Sequence, residues 1–131
     1  MAMFDQTEAN AVLAYETQQT NPAAVTSAKQ RLGSTTPTAT SNMTELTGSG
    51  YTAGGQAVTY STPSGASTSN SAAISWTNGS GTAWTVNGTE LWDTQGTPKR
   101  HLEGALTGAP VSVANGNVIN FPIAAISAAL V

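Results

Sequence analysis

A chain of 131 residues can hold one domain with a modest core and is too short for two independent ones. Only 8% of its residues are charged, the net charge is -3, and the few basic side chains (Lys29, Arg31, Lys99, Arg100) exclude extensive contact with nucleic-acid phosphates or an anionic membrane surface. The absence of cysteine excludes disulfides and thiolate metal sites, and 39% hydrophobic residues argue against a disordered chain.

The first segment reads as a helix from Asp5 to Gln19. Asp5 can cap it, with Glu8 at capping-box spacing and Phe4 where a staple residue stands. Ala9, Val12, Leu13 and Glu16 follow at helical spacing, and Thr20-Asn21-Pro22 ends the helix, because the residue before proline is pushed out of the helical region. Met1 to Asp5 has no basic region and no apolar core, so no signal peptide is expected. So short a helix is marginal alone, so residues 1–22 are expected to form an arm whose Val12 and Leu13 contact a partner or the rest of the chain.

Residues 23–131 read as strands and turns. Val25 to Leu32 predicts a first strand, Gly33 to Ser49 a long loop with a short strand at Met43 to Leu46, Gln56 to Tyr60 a second alternating strand, and Ala72 to Trp76 another. Asn78-Gly79-Ser80-Gly81 signals a tight hairpin turn, since Asn-Gly favours positive φ. Ala83 to Asp93 reads as one long strand with a bulge at Asn87-Gly88. Gln95 to Pro98 then turns the chain back into Lys99 to Leu106. Val111 to Val113, the turn Asn115-Gly116, and Val118 to Val131 supply a final pair. The last run is too short to span a bilayer and contains Asn120 and Pro122. Short strands at regular spacing predict a mainly β fold, a single β-sandwich or jelly-roll-like domain with a short N-terminal helix.

Residues able to carry chemistry are few. His101 is the lone histidine, with Glu103 two residues on and Asp93 across the turn. No Gly-x-Ser-x-Gly context accompanies it, so a hydrolase built on His101 gives way to a surface histidine beside an exposed carboxylate. Glu90, Asp93 and Glu103 could converge as a glycosidase pair or a calcium site, but Lys99 and Arg100 in the same hairpin suit surface ion pairs equally well. No catalytic residue, metal ligand or cofactor site is expected. Trp76, Trp84 and Trp92 could stack on sugar rings, although in a chain with 6% aromatics at least two of them are expected in the core. From Ile123 to Val131 both alternating faces are apolar or small, so Ile123, Ile126 and Leu130 are expected in a central strand or a subunit contact.

The run Thr44-Glu45-Leu46-Thr47-Gly48-Ser49-Gly50-Tyr51, followed by Gln56-Ala57-Val58-Thr59-Tyr60, resembles the "TEVSGGGYARQAVTF"-like segment of a widespread family of short phage virion proteins. The Ser/Asn/Ala strand from Thr68 to Trp76, the Leu91 to Gly96 hairpin, Gly104-Ala105-Leu106 and the ending from Val113 to Val131 follow in that family's order. Thr52-Ala53-Gly54-Gly55, where the family often has Ala-Arg, and a long link before Leu32 are departures. The family is described as minor tail or tail-fibre proteins, notably of phages infecting Actinobacteria, and carries no catalytic residues to transfer.

The resemblance implies a non-enzymatic virion protein, assembled in the host cytoplasm, that packs against other virion proteins (tail or major capsid protein) and forms homo-oligomers. A surface nearly free of charge suits that role, because charges at protein contacts must be desolvated. Val12, Leu13, Ile123, Ile126 and Leu130 are the candidate interface. The alternatives are a capsid-decoration protein and a host-surface carbohydrate-binding module; neither nucleic acid nor membrane is an expected partner.

Overall fold

The computed structural model describes residues 3–17 and 25–129. In chain order the elements are β1 (Met3–Phe4), α1 (Gln6–Glu16), β2 (Ala28–Gly33), β3 (Gln56–Ala57), β4 (Ser67–Ser69), β5 (Ile74–Thr77), β6 (Trp84–Val86), β7 (Gly88–Asp93), β8 (Lys99–Ala105), β9 (Val111–Val113), β10 (Val118–Phe121) and β11 (Ser127–Ala129). One antiparallel sheet runs β1-β8-β7-β2-β3, and three two-stranded ladders pair β5 with β10, β4 with β11, and β6 with β9. The fold is mainly β and sandwich-like, with one short helix. The expected division at residue 22/23 lies outside the described residues, as does the helix end beyond Thr17.

The core forms where the alternating faces of sheet and ladders meet. Leu32, Leu91 and Leu102 come from the sheet; Ile74, Trp76 and Ile119 from one ladder; Trp84, Val86 and Val113 from another; Ile126 and Ala128 from the chain end. Tyr51 joins the two large indoles, stacked on Trp76 and edge-on to Trp84, each at a centroid distance of 6.2 Å. Each fully buried side chain of this size contributes roughly 1.5–3 kcal/mol of transfer free energy, so a few such residues carry a small domain.

The turns depart from expectation in an instructive way. Asn78 to Gly81 and Asn115-Gly116 do reverse the chain, yet neither closes a hairpin: β5 pairs with β10, and β6 with β9. The two corners instead lie against each other. Asn78 N–H donates to Asn117 O at 2.9 Å, Gly116 N–H to Asn78 O at 2.6 Å, and Gly81 N–H to the Asn115 Oδ1 at 2.9 Å. A turn residue sets local φ but not the strand that its flanks will meet. Asn87 is likewise no bulge. It is the residue at which the chain leaves the β6–β9 ladder and enters the large sheet, held by its N–H on Gly33 O and its side-chain amide on Ser34 O. The register shift of the β7–β8 hairpin falls at Leu91/Trp92, where His101 is the extra residue on β8.

Candidate functional site

The candidate interface residues divide sharply. Leu13 on α1 and Ile123 in the loop after β10 are 62% and 66% exposed, Val12 is half-buried, and Ile126 belongs to the core. Leu130 lies outside the described residues. Val25 and Val118 add two further exposed aliphatics. Ile126 is held inward by backbone geometry: its N–H donates to the Asn70 side-chain oxygen at 2.8 Å and its carbonyl accepts from Asn70 N–H. Asn70 itself is fully buried, its amide donating to Ala72 O and Pro122 O. The chain end therefore packs through Ile126 and through Ala128 of β11, and leaves Ile123 outside.

The arm is stitched to the sheet by charge. β1 pairs with β8, placing Met3 opposite Glu103 and Phe4 opposite Leu102. Asp5 caps α1, its Oδ1 accepting from Thr7 N–H at 2.8 Å, while its Oδ2 accepts from Nε and Nη2 of Arg100 at 3.1 and 2.6 Å. Arg100 is 5% exposed and spends all five of its N–H donors on Asp5, on Glu90 Oε1 at 2.9 Å, and on the carbonyls of Thr38, Ala39 and Ser41. Burial would lower the Arg100 pKa, but the hydrogen bonds and charges of Asp5 and Glu90 raise it, so the guanidinium stays charged. Burial likewise pushes Asp5 up, and the Arg100 and Thr7 hydrogen bonds outweigh it, holding the carboxyl below its ordinary value. Glu90, 2% exposed, also accepts from Met43 N–H and from the Trp92 indole.

His101 differs from the expectation of a surface group. It is 6% exposed, and its Nδ1 lies 3.1 Å from Glu8 Oε2, which Lys99 Nζ also reaches at 2.8 Å. Glu8 thus pairs with β8 rather than closing a capping box, and Asp5 N–H donates to His101 O instead. The arm lies over this part of β8 through Asp5 and Glu8, which is why the histidine is buried. Glu90, Asp93 and Glu103 do not converge on one point. Glu90 and Glu103 face each other in register, whereas Asp93 lies opposite Lys99 and ties the hairpin end to Thr26 and Ser27 N–H. Among the described residues no group of acidic or histidine side chains is arranged to hold a metal ion. The tryptophans are spent as well. Trp76 and Trp84 are core, and Trp92 carries the Arg31 guanidinium 4.2 Å from its ring centroid.

The family described as Podophage GP4 fiber I protein gp80 matches residues 3–129. The chain belongs to that family. A comparison with the curated proteins finds no match. Membership in a phage fibre family gives the chain a structural role of the tail-fibre type in the virion, which is the coarser part of the resemblance read from the sequence; the actinobacteriophage grouping rests on the segment resemblances alone. The residues behind those resemblances are structural in this fibre-family chain. Glu45 Oε1 accepts from Tyr51 O–H and Gly54 N–H, the Tyr51 oxygen accepts from Leu32 N–H, and Tyr60 O–H donates to Gln30. What sequence reasoning missed is the Asp5–Arg100–Glu90 cluster. Its only signal was the run Lys99-Arg100-His101 in a strand that also carries Glu103.

Proposed function

We propose that this chain is a non-enzymatic subunit of a phage tail fibre or minor tail structure, which forms homo-oligomers and packs against other virion proteins through surface that includes Leu13 and Ile123. The observation that carries the reading is the fibre-family match across almost the whole described chain. The geometry supports it: large aliphatics stand exposed on a surface with little charge, and the buried Arg100 guanidinium is saturated by structural contacts rather than left open to a substrate. Burial of Trp76 and Trp84, and the Arg31 cover on Trp92, count against a carbohydrate-binding module that stacks sugars on indoles.

The test is incorporation. Leu13→Asp and Ile123→Asp, at exposed positions, should leave the unfolding midpoint of the isolated protein unchanged and reduce its copy number in purified particles. Labelled protein should locate to the tail in low copy. High copy number over the head would replace this reading with capsid decoration, and normal incorporation of both variants would remove the proposed surface.

A further inference from the structure

A groove of about 480 Å³ opens beside the arm, between the loop carrying Thr36, Pro37, Thr38 and Ala39 and the end of β8. Pro37 sits directly over Gly88, where any Cβ would collide with its ring, so the wall is fixed by close packing. Thr36 and Thr38 stand exposed at the mouth, and the remaining lining is Gly104, Ala105 and, as the single ionisable group, Glu103. Glu103 is 6% exposed, and among the described residues neither a hydrogen-bond donor nor a salt-bridge partner reaches its carboxyl. A largely buried carboxylate with no protein partner is costly unless water or a ligand reaches it, and here the groove gives that access.

Its neighbours make the imbalance specific. Glu90 faces it across the β7–β8 register, and Asp5 shares the Arg100 guanidinium with Glu90. Arg100, the one cation in the cluster, has no donor left to offer. Three acids therefore share one guanidinium. Burial, with the charges of Glu90 and Asp5 adding and that of Arg100 opposing, raises the Glu103 pKa.

We propose that the Glu103 groove is a socket for the cationic side chain of a lysine or arginine presented by a neighbouring virion protein. Pro37, Ala39, Gly104 and Ala105 suit the methylene stem, and the carboxylate at the floor suits the charged head. The identity of the partner rests on the structural role proposed above; the socket does not.

The experiment is an NMR titration of the isolated full chain with n-butylammonium and with n-butanol as its uncharged counterpart. Butylammonium should give saturable amide shifts at Ala39, Gly104 and Ala105, n-butanol should not, and Glu103→Gln should bind roughly tenfold more weakly or worse. The same variant should be more stable than the wild type at neutral pH, because a raised carboxyl pKa penalises the folded state above the ordinary carboxylate value; in acid the difference should vanish. That readout separates lost binding from lost folding. Equal binding by n-butanol, unchanged binding by the variant, or no saturable shift in the wild type would overturn the socket while leaving the fibre role standing. Failed incorporation tests with intact butylammonium binding would do the reverse.

Discussion

Two regions of this molecule bury polar groups, and they do so by different chemistry. Around Arg100 the solution is charge. One guanidinium gathers Asp5, Glu90 and three loop carbonyls, joining residues as far as 95 positions apart. Around Asn78 the solution is a neutral amide. Its side-chain N–H groups donate to Thr82 O and Val113 O, each at 2.7 Å, and its oxygen accepts from Ser80 N–H and O–H. Both side chains are buried and both are satisfied. The charged cluster holds the arm to the sheet and depends on ionisation. The amide pins two turns together at any pH.

Breaking the charged region should cost most. Arg100→Met leaves the Asp5 and Glu90 carboxylates without a cation and three carbonyls without a donor, a loss of about 3–5 kcal/mol at neutral pH. Urea unfolding should show that loss, and it should shrink in acid as Asp5 takes up a proton. Equal loss at both pH values would mean that the arginine serves mainly as packing.

Asn78→Ala comes next. Two carbonyls are stranded, each at roughly 1–3 kcal/mol. In contrast to Arg100→Met, the destabilisation should be the same in mildly acidic and mildly alkaline buffer. Asn78→Asp should be worse than the alanine at neutral pH, since a carboxylate would then face the oxygens of Thr82 and Val113.

Asp5→Asn should have the smallest effect and sharpen the comparison furthest. Asparagine is also a good N-cap, so mainly the charge is removed. The depressed Asp5 pKa means that its contribution is fully present above the ordinary carboxylate value and is lost as pH falls through the lower folded value. Thermal unfolding of the wild type should therefore weaken across that acid window, and the variant should show a flatter profile there. A parallel pair of curves would remove Asp5 from the acid response.

The strands were largely legible in the sequence because alternation reports burial directly. Ile74 and Trp76, Trp84 and Val86, and the β7–β8 hairpin all lie where alternation and the Gln95–Pro98 turn place them. The candidate interface residues fall in different places. Leu13 and Ile123 are exposed, but Ile126 points inward because Asn70 holds its backbone, a contact made across 56 residues that no local pattern announces.

By itself the sequence determined the class: a short capped helix, β-strands from periodicity, and reversals at Asn-Gly. Only the tertiary structure decided which strands pair, why both Asn-Gly corners fail to close hairpins, and how Arg100, His101 and Glu103 come to be buried. The physical reason is range. Backbone propensity and alternation act over a few residues, whereas pairing partners and the fate of a charged side chain depend on which distant donors and acceptors the fold brings within hydrogen-bonding reach.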